Sequence, residues 1–392
     1  MPKIKRVFLI VLDSLGAGEA SDAALFGDVG AHTLKSLWQT GKLNIPTLRK
    51  LGIGNIDGLS FLGSTDAPQA CVARMRERSM GKDTTVGHWE IAGYVSKSPL
   101  PTFSDGFPEE ILSKIRSISG REILCNKPYS GTAVIDDYGA ESLESGALIV
   151  YTSADSVLQI AAHTDAVPLD ELYSICVELR EQLVGKNDGV GRIIARPFVG
   201  QKGAFKRSAD RRDYSLKPPV TVLPEAVKLA GLDSVSVGKI SDIFADVGFS
   251  EVNRTHSNRE GMEIAESYIG KDFSGLCFVN LVDFDMLWGH RRDALAYAQG
   301  LCEFDAWLGG VLPLFGEDDV LMITADHGCD PSFTATTDHT REYTPLLVYG
   351  KRLKAQNFGT RESFADIGAS VSSMLGIDFE CDGRKIDFLF LN

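Results

Sequence analysis

No stretch of this chain stays apolar for the roughly 20 residues that a bilayer-spanning helix needs, so no membrane partner is expected. The opening residues, MPKIKRVFLIVLDSLG, have the basic start of a secretory leader, but their apolar run is short and is stopped by Asp13; they read as a first core strand. Positive charge is scarce as well: 40 Lys and Arg stand against 53 Asp and Glu, a formal charge of −13. A chain so acidic has no basic field with which to displace counterions from a phosphate backbone, which excludes nucleic acid as a partner. The seven cysteines are scattered, odd in number and never spaced C-x-x-C, as in reduced, buried thiols of a cytoplasmic protein. Two phosphate-binding signatures also fail. Gly16 and Gly18 are followed by Ser21 where G-x-G-x-x-G needs glycine, and Gly81-Lys82 is followed by Asp83 where Walker A needs Ser or Thr.

What is present is an ordinary globular composition, 44% hydrophobic and 24% charged, in 392 residues, enough for a large core and two or three domains. Strand-like apolar runs at 6–12, 71–75, 147–151, 234–240, 276–282, 320–324 and 345–349 alternate with helical patterns at 32–41, 45–51, 108–119, 169–183, 221–230 and 363–375. Leu301, Phe304, Leu308 and Leu312 form one further helical stripe. Alternation of this kind predicts an α/β fold with a mainly parallel sheet covered by helices on both faces, a three-layer core. Pro- and Gly-rich junctions at SPLPTFSDGFP and Lys217-Pro218-Pro219 mark an inserted domain, 101–217, within a catalytic core formed by 1–100 and 218–392. The insert holds the only locally basic segment, with Arg192, Arg196, Lys202, Lys206, Arg207, Arg211 and Arg212.

Three runs end in metal-type residues: Asp13 after the first, Asp285 and then His290 after 276–282, and Asp326-His327, with Asp338-His339 downstream, after 320–324. Each alone reads as a cap or a satisfied polar residue. In a parallel sheet, however, all strand ends on one edge face one crevice, so residues distant in sequence can meet there. Carboxylate and imidazole together suit a borderline divalent cation, and harder ligands nearby argue against the Cys329 thiolate. Six such ligands exceed what one tetrahedral ion with an open position needs. They suit two ions, which at roughly 3.5 to 4 Å apart can clamp both oxygens of an in-line displacement at phosphorus. In GKDTTVGHWEIAG the Thr84-Thr85 pair opens a helix, where a hydroxyl serves equally as a cap or as a phosphoryl acceptor. Beside two metals, Thr84 becomes the candidate nucleophile.

These pieces, VLDS, GKDTTVGHWE, YTSADSVLQIAAH, GKISDI, NLVDFD-x-L-x-GHRRD and TADHG followed by TDHTREYTP, resemble the phosphopentomutase family of the alkaline phosphatase superfamily, prokaryotic type. The resemblance runs from Arg6 to at least Tyr349. It implies an isomerase with two divalent ions, manganese, one held by Asp285, His290 and His339 and the other by Asp13, Asp326 and His327. It also implies a phosphorylated Thr84 and an inserted α/β cap, with Ser153 and Asp155 near the sugar and Arg192, Arg207 and Lys239 toward the phosphate. The implied reaction interconverts ribose (or deoxyribose) 1-phosphate and 5-phosphate through a 1,5-bisphosphate. It would be primed by glucose 1,6-bisphosphate or ribose 1,5-bisphosphate in a cytoplasmic enzyme expected to be a monomer. A phosphatase or phosphodiesterase on the same core is the alternative.

Overall fold

A computed structural model of the chain describes residues 4–153, 155–185, 189–336 and 338–391. Their strands are β1 (Arg6–Leu12), β2 (Cys71–Met75), β3 (Ile123–Pro128), β4 (Leu148–Thr152), β5 (Val157–His163), β6 (Arg192–Val199), β7 (Lys206–Arg207), β8 (Arg212–Ser215), β9 (Asp233–Val237), β10 (Glu251–Asn253), β11 (Gly275–Leu281), β12 (Asp319–Thr324), β13 (Thr344–Tyr349) and β14 (Asn357–Arg361). They fall into two compact units, one built from the residues up to Ser98 and from Pro218 onward, the other from Pro99–Lys217.

The larger unit contains one sheet in the order β10-β9-β11-β1-β12-β13-β2-β14. Neighbours from β10 to β12 are parallel, whereas β13 runs antiparallel to both β12 and β2. The reversal departs from a uniformly parallel sheet and has a local cause: β13 follows β12 through a loop, not a crossover helix, so the chain returns alongside. In β1 every residue after Arg6 is buried, as a central strand covered on both faces must be. Phe8, Ile10 and Leu12 join Leu301, Phe304 and Leu308 of the Ala294–Val311 helix in one core, each such side chain contributing roughly 1.5–3 kcal/mol on burial. The helices Thr33–Gln39 and Pro46–Leu51 each bury one face, with Leu34, Leu37, Leu48 and Leu51 packed into that same core, and leave Lys35, Trp38 and Lys50 exposed. The helix Asn258–Ile269 escapes apolar-stripe reading, although its start is signposted. Ser257 accepts from Glu260 N–H and Glu260 accepts from His256 N–H, a capping box in all but the exact partner.

The inserted unit carries its own sheet, β3-β4-β5-β6-β7, with β8 on β6. The Glu109–Ser119 and Leu169–Gln182 helices bury Ile111, Ile115, Leu172 and Leu179 against one face, and Val134 and Ile135 of the Ala133–Ser145 helix cover part of the other.

On the larger unit, the helix Thr84–Ile91 runs past the end of β12 so closely that a Cβ on Gly87 would lie 2.3 Å from the Asp326 carbonyl oxygen. Backbone cannot yield there as a side chain could. Gly87→Ala is therefore expected to lower stability by about 1–3 kcal/mol in denaturant unfolding; an unchanged midpoint would contradict this close approach.

Candidate metal centre and nucleophile

β11, β1 and β12 are adjacent and in register, with Leu12 opposite Leu281 and Val11 opposite Thr324, so all three finish at one level of the sheet edge. Asp13 stands immediately after β1, Asp326 two residues past β12 and Asp285 four past β11. Ser14 takes a left-handed conformation (φ 72°), turning the chain away at once, and its N–H donates to Asp326 Oδ1 at 3.1 Å. Beyond β11 the chain makes a π-helical turn, Phe284–Gly289, in which the His290 N–H reaches the Asp285 carbonyl at 3.1 Å. Such wide turns recur at functional sites because they align residues five apart. Here His290 Nε2 comes to 3.4 Å from Asp285 Oδ2.

His339 and His327 are aimed by their backbone partners. His339 Nδ1 lies 2.9 Å from the Lys82 carbonyl and His327 Nδ1 lies 3.1 Å from the Gly328 carbonyl. Each contact leaves Nε2 facing the carboxylates, the arrangement typical of an imidazole ligand. His339 Nε2 is 3.4 Å from Asp285 Oδ1 and 3.1 Å from His290 Nε2, while His327 Nε2 is 3.1 Å from Asp326 Oδ2 and 3.5 Å from Asp13 Oδ1. The two rings stack with centroids 3.8 Å apart. Asp13, Asp326 and His327 form one group with ligand atoms within 4.8 Å, Asp285, His327 and His339 a second, and Asp285, His290 and Cys329 a third.

The chemistry of this donor set fits divalent cations. Asp13 Oδ1, Asp285 Oδ1 and Asp326 Oδ2 are buried, and among the described residues they face only imidazole nitrogens, at 3.5, 3.4 and 3.1 Å, without a formed hydrogen bond. A buried carboxylate oxygen left in that state is expensive unless a cation joins it.

Thr84 is the first residue of its helix, but not its cap. Asp83 caps, accepting from Val86 N–H at 3.1 Å, and this releases the Thr84 hydroxyl. Its Oγ1 lies 3.2 Å from His327 Nε2 in a buried position beside the exposed donors of a helix N-terminus.

Comparison with known proteins agrees with this geometry. A family model described as the metalloenzyme superfamily matches residues 5–379. A phosphopentomutase of Lachnoclostridium phytofermentans is 53% identical over 97% of this chain and 98% of its own length. That of Clostridium novyi is 48% identical over 96% of each. The chain belongs to the phosphopentomutase family. It is accordingly an isomerase with the metal-binding core of the alkaline phosphatase superfamily. Among solved structures, a phosphoglycerate mutase of Leishmania mexicana shares the fold at a TM-score of 0.51, with 13% identity over 100% of this chain and 98% of that one.

Of the residues that family resemblance points to for substrate, Lys239 lies in the larger unit, where its charge acts on Asp13. The others belong to the inserted unit. Arg192 heads β6 opposite Val157, and its N–H donates to the carbonyl of Ser156, which adjoins Asp155; its guanidinium lies 3.6 Å from Asp213, and Ser153 directly follows β4. Arg207 is in β7, opposite Phe198, and crosses back toward Tyr151: a Cβ on Gly131 would lie 2.9 Å from Tyr151 Oη and 3.5 Å from Arg207 Nη1. Motif reading gave no role of its own to Tyr151, at the head of YTSADS, or to Arg196, counted only within the basic segment; their Oη and Nε are buried without a hydrogen-bond partner among the described residues. It also passed over Arg341, fully buried within T-R-E-Y and saturated by Asp22, Glu77 and the carbonyls of Glu77, Ser79 and Gly81. An arginine two residues after a candidate ligand histidine reads in sequence as a solvated charge.

Without a cation the cluster must hold protons. Burial, then the neighbouring Asp326 and Asp285, push the Asp13 carboxyl up to about 6. Burial opposes a charge on His327, but Asp326, Asp13 and Asp285 outweigh it and raise the imidazole well above its ordinary value. Burial likewise opposes ionisation of Asp285, yet His339 and His290 hold it well below the carboxylate range. Cys329, though grouped with Asp285 and His290, has its thiol raised well above the usual range by burial and by Asp285, which keeps it protonated at neutral pH.

Both raised groups favour the protonated folded state, so their contribution to metal-free stability falls as pH rises through about 4 to 6 for Asp13 and above 6.5 for His327. Asp285 and Asp326, which are lowered, act with the opposite sign only below 3.8. Binding a cation must expel the protons. The rise in Tm on adding a divalent cation is thus expected to be larger at pH 8 than at pH 5.5, measured by calorimetry against metal-free protein. A rise equal at both values, or larger at pH 5.5, would contradict the proton-for-metal exchange.

Proposed function

We propose that this enzyme interconverts α-D-ribose 1-phosphate, or its 2-deoxy analogue, and the corresponding 5-phosphate, with Thr84 carrying the transferred phosphoryl group. The observation that carries this reading is the Thr84 hydroxyl, freed from capping and held 3.2 Å from His327 Nε2 in the ligand cluster. Chain-wide identity of about half to proteins named phosphopentomutase supports the substrate class.

Asp13, Asp326 and His327 would hold one divalent cation, and Asp285, His290 and His339 the other. Bound there, the ions supply positive charge to a transferring phosphoryl group and acidify a hydroxyl near them. Manganese agrees with a mixed carboxylate and imidazole set. Phosphothreonine at Thr84 gives its phosphoryl group to the free hydroxyl of the incoming monophosphate. The Oγ1–P bond breaks, the sugar O–P bond forms, and the hydroxyl proton ends on Thr84 Oγ1. The 1,5-bisphosphate then returns its other phosphoryl group by the reverse exchange. Free amides at the N-terminus of the Thr84–Ile91 helix complement the phosphate charge. Ser153 and Asp155 bind sugar hydroxyls, and Arg192, Arg207 and Lys239 engage the phosphate that is not being transferred. Glucose 1,6-bisphosphate or ribose 1,5-bisphosphate primes the enzyme, which acts as a cytoplasmic monomer. Among the described residues no helix is long and apolar enough to cross a membrane, and all seven cysteines are free thiols.

Peptide mass spectrometry after incubation with glucose 1,6-bisphosphate and manganese is expected to find phosphate on Thr84 in the wild type. Thr84→Val should carry none and should interconvert ribose phosphates at least 1,000-fold more slowly, on the order expected for loss of a covalent nucleophile. Full activity without phosphate on Thr84 would contradict the proposal. Stoichiometric release of inorganic phosphate from ribose 5-phosphate would assign the core to a phosphatase instead.

A further inference from the structure

Two buried side chains that the proposed reaction leaves unused join Thr84 to the Asp13, Asp326 and His327 cluster. They are His88 and Asn280, each at most 1% exposed. His88 lies one turn beyond Thr84 in the same helix, where residues four apart share a face. Its Nδ1 is 2.9 Å from the Thr84 carbonyl oxygen and 3.1 Å from Asp326 Oδ2. Its Nε2 is 3.2 Å from Asn280 Nδ2, and the same amide nitrogen is 2.8 Å from Asp13 Oδ2. Asn280 reaches this place because it is the penultimate residue of β11, opposite Val11 of β1.

These four contacts fix the proton pattern. An ionised carboxylate only accepts, so the Asn280 atom facing Asp13 is the amide nitrogen. That nitrogen carries a second hydrogen, for which His88 Nε2 is the acceptor. The imidazole proton therefore sits on Nδ1 and is donated to the Thr84 carbonyl, while the same ring edge lies against Asp326 Oδ2. The assignment comes from the network, since ring and amide hydrogens are inferred from their partners.

We propose that His88 and Asn280 are positioning residues that lock the helix carrying Thr84 to both carboxylates of one metal subsite. Asn280 sets the rotamer of Asp13, and His88 sets that of Asp326 while holding the first turn of the helix against it. Without them the ligands and the hydroxyl are still present, but their mutual geometry is free to drift. Gly87, which lets the helix touch Asp326, completes the same contact from the backbone side. The inference rests on the two-ion, phosphothreonine reading above and adds which side chains hold its geometry.

The test compares His88→Phe, Asn280→Leu and the conservative His88→Asn, whose amide N–H stands where Nδ1 was, with Thr84→Val as a control. Manganese binding by titration calorimetry, Tm of the metal-free proteins and steady-state kinetics are read on each. His88→Phe and Asn280→Leu are expected to weaken one of the two ions by roughly 10- to 100-fold, leave the other within about threefold, and lower kcat similarly with KM within about threefold. His88→Asn should recover most of both losses. Unchanged manganese affinity and kcat in His88→Phe and Asn280→Leu would overturn the positioning role, as would a uniform loss at both ions accompanied by a lowered metal-free Tm and no recovery in His88→Asn. An active Thr84→Val would instead overturn the phosphothreonine reading, and the manganese affinities would still decide whether the two side chains orient the carboxylates.

Discussion

Three aspartates that follow neighbouring parallel strands are forced into one buried volume, and their mutual repulsion is the constraint on which the rest of this site depends. Asp13, Asp285 and Asp326 are each at most 5% exposed. Buried carboxylates this close cannot all remain ionised without compensation. Three imidazoles and the Lys239 charge supply part of it, protons supply more when no cation is present, and two divalent ions would supply it in full. The sheet sets where the charges meet. The left-handed turn at Ser14 and the π turn after β11 set which oxygen of each faces the others.

A second layer of buried ion pairs supports the first through the segment that precedes Thr84. The Arg341 guanidinium spans Asp22 and Glu77 and takes the carbonyls of Glu77, Ser79 and Gly81, so it fixes the backbone that leads into Thr84. Its own N–H donates to Asp28, Asp28 pairs with Lys82 at 2.9 Å, and the Lys82 carbonyl accepts from His339 Nδ1. His339 and the segment before Thr84 are thereby held by one continuous polar network. Networks of this kind contribute little net stability when exchanged as a whole, but they penalise every alternative arrangement of their members.

Much of this was legible in the sequence because strand ends, ligand types and chain order are local signals. Asp13, Asp285, Asp326, His327 and His339 stand after apolar runs that any period-based reading finds, and the structure brings them together with His290. What could not be read depends on three-dimensional partners. The Thr84-Thr85 pair looks like a cap until Asp83 is seen to accept from Val86 N–H. His290, five residues after Asp285, is legible as a candidate ligand by residue type, whereas the π turn that brings it to Asp285 is not. β13 looks like any other strand, its reversed direction being a property of the connection. His88 and Asn280 sit inside a helix and a strand where single polar residues usually mean local satisfaction, and Arg341 is a charge whose burial no composition reveals.

Dividing the six candidate ligands between two ions would place Asp326 and His339, 13 residues apart in sequence, in different subsites. The most direct test is manganese anomalous scattering from crystals of Asp326→Asn and His339→Asn soaked at a concentration that saturates both wild-type sites. Asp326→Asn is expected to lose the ion beside Asp13 and His327 and keep that beside Asp285 and His290, with the reverse pattern in His339→Asn. Loss of the same peak in both variants would contradict it.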